Sequence, residues 1–560
     1  MKNASKILST VLSFTLAITL ILTGCSSNEP NDKTATCTES VNNSGYSYPA
    51  TESTVDYSDD APSIYFDNYE NRESQLSESV APGKFKTEEY NDIKESGFRN
   101  VLLSPLSTFA ADVDTGSLTN LRRMLNQSAS FSDIPSGAIR TEELINYFDY
   151  TAGQKKDDEK FSLRTELHPC PWNEDNGLLM MTVTANEEDM DYVGSNFVFL
   201  VDTSGSMYGQ DRLTLAVKGF KLLTDSMTAK DRVSIVTYSG SSEVILSGAS
   251  GDNHDLIKSH LDMLEASGGT WGSGGINAAY NCAVDNFIPG GNNRVIIASD
   301  GDMNLGITDQ SGLTDLIREK KESGVFLTVL GFGFGNYSDA NMESIADAGN
   351  GNYYYIDCIE EAKRVLVDKL KSTTVTVAKD VKCQVEFNPA VVSEYRQIGY
   401  ENRQMAAEDF NNDKKDGGEV GAGTQVTVLY EISFAGENTS EDSGLKYQKN
   451  KLLSDIPANE MLTLSVRYKE PAADTSVLEK HIVLSDMDDA VTSDFAWVSG
   501  ITELSMNIRG SEYIGTSTYI TALDLLTVGT GEKDFIAKRN FRDLICEAVY
   551  DTEYSLRGQI

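Results

Sequence analysis

Residues 196–206, which read NFVFLVDTSGS, decide the fold of the central part of the chain. The first six residues are a nearly continuous apolar run, and such runs are typical of a strand buried on both faces of a sheet. The run ends at Asp202 in a polar turn that contains a glycine. Apolar residues at helical spacing then extend from Leu213 to Leu223. The stretch therefore predicts a strand, a turn and a helix.

The same alternation of strand and helix patterns continues to about residue 372. Strand patterns occupy residues 232–238, 243–247, 294–299 and 325–333, with a short YYYID strand near 354. Helical spacing occupies residues 256–264, 276–287, 313–321, 342–348 and 360–370. Repeated alternation of this kind predicts an α/β doubly wound, Rossmann-like domain with a parallel sheet, here over residues 193–372.

Three polar turns are expected to meet at one edge of this sheet, because doubly wound sheets bind ligands at the carboxyl ends of their strands. The first strand ends in Asp202, Ser204 and Ser206, a loop at 267–270 contains Thr270, and the strand at 294–299 is followed by Asp300. All five side chains offer oxygen, and none offers imidazole or thiolate. Hard divalent cations prefer such ligands.

These residues, taken as D-x-S-x-S, then Thr270, then Asp300, resemble the metal-ion-dependent adhesion site of von Willebrand factor type A (VWA) and integrin I-type domains. The resemblance implies Mg²⁺, or Mn²⁺ or Ca²⁺, with one position left open for the carboxylate of a protein partner. It also implies that the last helix, at 360–370, is the one that moves in some relatives. The alternative is a VWA fold whose site is vestigial.

Strand patterns flank the central domain on both sides. They lie at 161–167 and 178–185 before it, and at 374–387, 423–434, 461–469 and 478–485 after it. We expect residues 156–192 and 373–490 to pair into one β-sandwich with the VWA domain inserted between them, the alternative being two separate β units. Helical segments are expected at 96–155 and 491–560.

The flanks resemble bacterial VWA lipoproteins that carry a dedicated N-terminal segment and a C-terminal domain of unknown function. The matching strings are PLSTFAADVDTGSLTNLRR, EELINYFDY, HPCPWN, IGYENR and NNDKKDGGEVGAG. Overlapping the start of the last string, Asp409, Asn411 and Asp413 have the D-x-N-x-D spacing of a calcium loop. Lys414 and Val420 stand where such a loop needs glycine and glutamate, so we interpret it as a polar hairpin loop, with weak calcium binding as the alternative.

The N-terminus predicts export. Lys2 and Lys6 precede an apolar stretch at 7–22, which is shorter than the roughly 20 apolar residues of a membrane span. Residues 22–25, LTGC, resemble a bacterial lipobox, which implies a signal peptide at 1–24 and lipidation of Cys25. Residues 25–95 are predicted to form a flexible acidic linker. The expected location is the extracytoplasmic face of the cell membrane, or the outer membrane in a two-membrane envelope.

The net charge of −38 argues against nucleic acid as a partner and against electrostatic docking on anionic lipid.

Whether the six further cysteines form disulfides stays open, and buried thiols are the simpler interpretation: Cys37, Cys170, Cys282, Cys358, Cys383 and Cys546. No G-x-S-x-G or H-E-x-x-H motif is present, and we interpret the four histidines as surface or cap residues. We therefore predict a non-enzymatic, metal-dependent adhesion protein. The alternatives are an envelope scaffold that uses the sandwich and, less favoured, a metal-dependent hydrolase.

Overall fold

A computed structural model of the chain describes residues 90, 92–111, 114–127, 130–156, 159–186, 192–269, 273–301, 310–333, 339–349, 351–369, 376–415, 417–436, 456–457, 459–471, 473 and 475–557. The predicted signal peptide, Cys25, Cys37, nearly all of the predicted linker and Thr270 lie outside these residues. No described helix combines the length and the apolar composition needed to cross a bilayer.

The part of the chain before the central domain contributes four described strands and two α-helices. They are β1 (Arg99–Asn100), β2 (Leu106–Ala110), α1 (Gly116–Asn126), α2 (Thr141–Asn146), β3 (Phe161–Cys170) and β4 (Asn173–Ala185). Short 3₁₀ turns at Phe131–Asp133 and Ser136–Ala138 separate the two helices. The prediction of a helical segment at 96–155 misses β1 and β2, two strands within it that the sequence does not reveal.

The central domain alternates strands and helices. Its described elements are β5 (Ser195–Asp202), α3 (Leu213–Asp225), β6 (Arg232–Tyr238), β7 (Ser242–Ser250), α4 (His254–Asp262), α5 (Ser273–Asp285), β8 (Asn292–Ser299), α6 (Gln310–Lys321), β9 (Phe326–Gly331), α7 (Asp339–Ala348), β10 (Tyr353–Tyr355) and α8 (Ile359–Lys363). A π-helical turn, Arg364–Lys369, continues α8.

The six strands of the central domain form one sheet in the order β10-β9-β8-β5-β6-β7. All neighbours are parallel except β6 and β7, which are antiparallel. The prediction of a wholly parallel sheet is wrong at this edge, because three residues between β6 and β7 are too few for the crossover that a parallel pair requires. All eight residues of β5 are buried, since β5 lies inside the sheet and two hydrophobic clusters cover its faces.

After the central domain come the remaining described strands and helices. They are β11 (Thr376–Phe387), β12 (Val392–Ile398), β13 (Gly418–Gly421), β14 (Gln425–Phe434), β15 (Glu460–Lys469), β16 (Ser476–Leu484), α9 (Ser493–Arg509), α10 (Tyr519–Gly529) and α11 (Phe535–Arg557). Thr492 caps α9 by accepting a hydrogen bond from the Phe495 amide, and Gly510 ends the helix with a left-handed backbone.

Strands from both sides of the central domain share two antiparallel sheets. The first has the order β1-β12-β14-β4-β3, and the second has the order β13-β11-β15-β16 with β2 also paired to β11. Thus β4, before the central domain, pairs with β14, after it. Side chains of the two sheets, among them Met181, Tyr430, Val385 and Leu464, belong to one buried cluster.

The helices at the two ends of the chain pack together against the first sheet. One hydrophobic cluster joins Leu121 of α1, Trp497 of α9 and Leu526 of α10 with Leu178 and Leu429 of the sheet. In the described part of the chain, the segments before and after the central domain therefore form a single packed body, which we call the flanking body.

Ion pairs connect this body to the last helix of the central domain. Arg122 of α1 donates to Asp357 at 2.6 Å and to Glu361 of α8 at 3.2 Å. The Tyr147 hydroxyl donates to Glu361 at 2.7 Å. Burial by itself raises the pKa of Glu361. The charges of Arg364 and Arg122 outweigh this effect and hold the pKa below its usual value. We call these contacts the Arg122 clamp.

The IGYENR string lies at a second junction. Asn402 donates to Glu343 of α7 at 2.6 Å, and Arg403 pairs with Asp347 of α7 at 2.7 Å and with Asp114 at 3.0 Å. Tyr400 adopts a φ of 61°, a left-handed backbone that is uncommon for a non-glycine residue. The string therefore holds α7 of the central domain to the flanking body.

Candidate metal centre

Asp202 is the last residue of β5 and Ser299 is the last residue of β8, the neighbouring parallel strand. Both side chains are fully buried. One carboxylate oxygen of Asp202, Oδ1, accepts the backbone N–H of Ser204 at 2.9 Å. The other, Oδ2, accepts the Ser299 hydroxyl at 3.1 Å. These two hydrogen bonds set the orientation of the Asp202 carboxylate at the carboxyl edge of the sheet.

The turn after β5 places two serine hydroxyls side by side. The Oγ atoms of Ser204 and Ser206 are 2.9 Å apart. Ser204 is buried and Ser206 is exposed, so the pair runs from the floor of the site to its surface. A 3₁₀ turn, Gly205–Met207, carries Ser206, and its fully buried Met207 anchors it in the core.

Asp300 directly follows β8 and is 7% exposed. Its neighbour Gly301 has a φ of 92°, which lets the chain turn sharply away from the strand. The guanidinium of Arg212 lies 3.9 Å from Asp300 Oδ2 and also donates to the backbone oxygen of Ser206 at 3.1 Å. Arg212 therefore contacts two of the three turns that carry predicted ligands.

The loop that leads to Thr270 is held against the first turn. The Ser267 amide donates to Thr203 O at 2.8 Å, and the Gly205 amide donates to Gly268 O at 3.1 Å. Thr270 itself is outside the described residues, so its predicted place in the site remains a prediction. The structure brings together the other four predicted ligands: Asp202, Ser204, Ser206 and Asp300.

Burial makes Asp202 costly to ionise in the absence of a cation. Desolvation and the nearby charge of Asp300 raise the pKa of Asp202 to about 6, while the hydrogen bonds from Ser204 and Ser299 oppose the shift. Burial also raises the pKa of Tyr238, whose ring lies on the adjacent strand β6. A divalent cation would offset the cost of the Asp202 charge.

The donor set of this site fits a hard divalent cation. It consists of two carboxylates and two hydroxyls, which are the ligand types that Mg²⁺, Mn²⁺ and Ca²⁺ accept. Among the described residues, no group of three or more His, Cys, Asp or Glu side chains is placed to hold a metal. The hydroxyls of Ser204 and Ser206 are therefore essential to any coordination here.

Sequence reasoning misses two residues of this site. The sequence pattern predicts Ser299 only as the end of a strand and Arg212 only as a turn residue. Ser299 could have been predicted to lie near Asp202, because it comes one residue before Asp300 and neighbouring parallel strands end together. Nothing in the sequence signals that Arg212 reaches Asp300.

Lysines and an arginine surround the D-x-N-x-D loop. Lys382 donates to Asn412 O at 2.9 Å, Lys469 donates to Asp413 O at 2.9 Å, and Arg467 donates to the Asp413 carboxylate at 2.9 Å. Arg467 occupies the Asp413 carboxylate, which is the fifth position of such a loop, and this disfavours the weak-calcium alternative. The loop connects β12 of the first sheet to β13 of the second, so the prediction of a hairpin loop is wrong.

The histidines do not join the metal site. His168 on β3 and His481 on β16 are 3% and 7% exposed, so the interpretation of all four histidines as surface or cap residues is wrong for these two.

The described cysteines are free thiols: Cys170, Cys282, Cys358, Cys383 and Cys546. Burial raises the pKa of Cys383 to about 12, which keeps it protonated and unreactive.

Family comparisons agree with this architecture. Residues 196–367 match the von Willebrand factor type A domain, residues 84–180 match a family described as von Willebrand factor, and residues 372–549 match the family described as "Uncharacterized protein YfbK, C-terminal". The chain is thus a bacterial-type VWA-domain protein with a second, dedicated C-terminal domain.

The chain is 40% identical over 441 residues to the Escherichia coli (strain K12) protein described as "Uncharacterized protein YfbK", covering 77% of this chain and 76% of that one. It belongs to the YfbK family.

More distant relatives match smaller parts. Inter-alpha-trypsin inhibitor heavy chain H2 of Sus scrofa is 28% identical over 180 residues, which is 30% of this chain and 18% of that protein. Among solved structures, a von Willebrand factor type A protein from Catenulispora acidiphila covers 69% of this chain and 91% of its own, with 14% identity and a TM-score of 0.40. The ArnB paralog VWA2 from Sulfolobus acidocaldarius has 16% identity and a TM-score of 0.34, with coverage of 70% and 97%.

Proposed function

We propose that this protein is a lipid-anchored surface protein that binds a protein partner through a divalent metal ion in its VWA domain. The proposed ligands are Asp202, Ser204, Ser206, Thr270 and Asp300. The observation that carries the proposal is the meeting of Asp202, Asp300 and two serine hydroxyls at one carboxyl edge of the sheet. VWA domains commonly hold a divalent metal at such a site.

The charge of the ligands favours capture of an acidic group. Two aspartates balance a divalent ion, and the remaining ligands are neutral hydroxyls, so the ion stays electrophilic toward an incoming carboxylate. When bound, the metal supplies a coordination position for a Glu or Asp side chain of the partner. Mg²⁺ is the first choice because it keeps several waters in its shell, and a carboxylate can replace one of them.

The surroundings of the site suit a protein partner. Tyr208 follows the turn that carries Ser206 and is 81% exposed. Exposed aromatic side chains on a rigid turn are frequent hot spots of protein interfaces. Because Met207 beside it is fully buried, Tyr208 is presented from an anchored backbone.

Binding, not catalysis, is the activity that VWA domains generally perform. No histidine of the described residues adjoins the site, and hydroxyls that serve a metal as ligands are poor nucleophiles without a base. A metal-dependent hydrolase is therefore not favoured by any observation at this edge of the sheet.

The anchor rests on residues 22–25, LTGC, with Lys2, Lys6 and the apolar stretch before them. We propose a lipid, such as palmitate, on Cys25, with residues 25–95 as a linker between the membrane and the folded body. Growth with a clickable palmitate analogue should label the wild-type chain and leave Cys25→Ser unlabelled. Equal labelling of both would contradict the anchor.

Adhesion is tested with immobilised peptides that carry a single glutamate in a Gly/Ser background, compared with matched glutamine peptides. In Mn²⁺, the full chain should bind the glutamate surface, and EDTA should release it. Asp202→Ala should abolish the binding. Equal binding to the glutamine surface, or binding that EDTA does not reverse, would contradict metal-mediated capture.

A second candidate function is scaffolding through the two antiparallel sheets, which we infer to act as one sandwich because they share a buried cluster. Edge strand β16 exposes Leu478, Ile482 and Leu484 on one face, at 45%, 61% and 47%, with the exposed Lys480 between the first two. Exposed apolar rows on edge strands favour pairing with another chain. Partner binding that survives Asp202→Ala but is lost in Ile482→Lys would favour this second function.

A further inference from the structure

Arg212 joins two of the three ligand-bearing turns of the candidate metal site. Its Nη1 donates to Ser206 O at 3.1 Å, and its Nε lies 3.9 Å from Asp300 Oδ2. The guanidinium therefore places one fixed positive charge beside the proposed ligands. Arginine remains charged at all accessible pH values.

The surrounding backbone holds the Arg212 side chain in place. Gly333 has a φ of 73°, and a Cβ at this position would lie only 2.2 Å from Arg212 Nε. The Tyr355 hydroxyl of β10 donates to Gly333 O at 2.6 Å and fixes that glycine. The Arg212 side chain is 23% exposed, so its charge is only partly screened by water.

The position of Arg212 has a consequence for binding. Its guanidinium lies 3.9 Å from Asp300, so it would stand beside a divalent ion held by Asp202 and Asp300. This positive charge repels the metal when the metal arrives alone. Both the metal and the guanidinium attract an incoming carboxylate, so that metal and carboxylate favour each other.

We propose that Arg212 weakens metal binding by the free protein and makes it depend on an anionic ligand. This inference rests on the proposed function, because it requires that the site bind a divalent ion. In this arrangement Arg212 is a specificity-determining residue. It favours partners that present a carboxylate and disfavours occupation of the site by metal in their absence.

The test is calorimetric titration of the full chain with Mn²⁺, in sodium chloride and in sodium acetate of equal ionic strength. Two variants remove the charge, Arg212→Gln and Arg212→Met, and the second keeps an aliphatic stem against Gly333. Arg212→Lys keeps the charge. Arg232→Gln is the matched control, since Arg232 begins β6 at the opposite end of the strand from the site.

In chloride, the Kd for Mn²⁺ should fall about tenfold in Arg212→Gln and Arg212→Met. Acetate should tighten Mn²⁺ binding severalfold in the wild type, Arg212→Lys and Arg232→Gln, and should have little effect in the uncharged variants. The Met variant decides the matter if the Gln variant does not fold.

Mn²⁺ binding that is no tighter in either uncharged variant than in the wild type, or that acetate tightens equally in all of them, would overturn the role of Arg212 and leave the metal site standing. Failure of the wild type and both uncharged variants to bind Mn²⁺ in either salt would overturn the metal site itself, and the role of Arg212 with it.

Discussion

The Ser299 hydroxyl donates a hydrogen bond of 3.1 Å to Asp202 Oδ2 and so joins the last residues of two neighbouring parallel strands. The register of β5 and β8 pairs Val201 with Ala298, which brings the next residue of each strand level at the edge of the sheet. Because both side chains are fully buried, this bond is shielded from water. Ser299 is therefore a positioning residue for the Asp202 carboxylate.

Ser299→Ala should weaken Mn²⁺ binding by about threefold to tenfold, because Asp202 loses a hydrogen bond worth roughly 1 kcal/mol that orients it. Calorimetry of the full chain measures the change. Ser259→Ala is the control, since Ser259 is exposed on α4 and its hydroxyl bonds to Leu256 O. An unchanged Kd in Ser299→Ala would show that the bond does not position Asp202.

Without metal, Asp202 should destabilise the fold at neutral pH. Burial raises its folded pKa to about 6, above the usual unfolded value of about 4. The folded protein therefore binds this proton more tightly than the unfolded chain, and ionisation costs stability as the pH rises from about 4 to above 6. Asp202→Asn should raise the Tm in EDTA at pH 8 by a few degrees and should have little effect at pH 4.

The control for this pH experiment is Asp255→Asn, which changes an exposed carboxyl in the first turn of α4. Its Tm should follow that of the wild type at both pH values. A difference between Asp202→Asn and the wild type that is the same at pH 4 and pH 8 would contradict a raised pKa at Asp202.

The stability of the flanking body should depend on the charge of one buried carboxylate, Glu431. Arg396 and Glu431 are each 2% exposed in their side chains and lie 2.8 Å apart. The Trp172 indole and the Asn176 amide also donate to Glu431, at 3.2 and 2.7 Å. Glu431→Gln leaves Arg396 without its buried counter-charge and should cost about 3 kcal/mol.

Thermal unfolding measures this cost as a clear fall in Tm. Glu394→Gln is the matched control, because Glu394 lies on β12 of the same sheet but is exposed. Equal Tm values for the two variants would mean that the Arg396–Glu431 pair does not stabilise the flanking body.

The Arg122 clamp should restrain the last helix of the VWA domain. In Arg122→Gln, Asp357 and Glu361 lose their shared cation, so amide hydrogen exchange in residues 359–369 should accelerate by about tenfold or more. Exchange in β5 should not change. Arg318→Gln, which alters an exposed arginine paired with Asp315, is the control. Wild-type exchange rates at 359–369 in Arg122→Gln would contradict the clamp.

The sequence predicts those parts of the fold in which burial and periodicity agree. The apolar run at 196–201 and the strand at 294–299 are buried on both faces, so the residue pattern alone indicates both the strands and their polar ends. The pattern does not predict strand β12, because VSEYRQI carries the buried Arg396 where a core strand normally shows an apolar residue. Its partner Glu431 comes from another strand, and such pairing is invisible to local patterns.

The candidate site shows the same division. Asp202, Ser204, Ser206 and Asp300 follow from the strand ends, since residue type and position both point to a metal. Arg212 does not, because its contact with Asp300 depends on the space left by Gly333, about 120 residues away along the chain. The clamp between Arg122 and Glu361 escapes prediction for the same reason: the two residues come from different parts of the fold.

We propose that the VWA domain binds one divalent ion through Asp202 and its neighbours. Calorimetric titration of the full chain with Mg²⁺ and with Mn²⁺, beside Asp202→Ala, tests this binding. The wild type should bind about one ion per chain, and Asp202→Ala should bind none. Binding of equal stoichiometry and affinity in the two proteins, or no binding in either salt by the wild type and by both uncharged Arg212 variants, would contradict it.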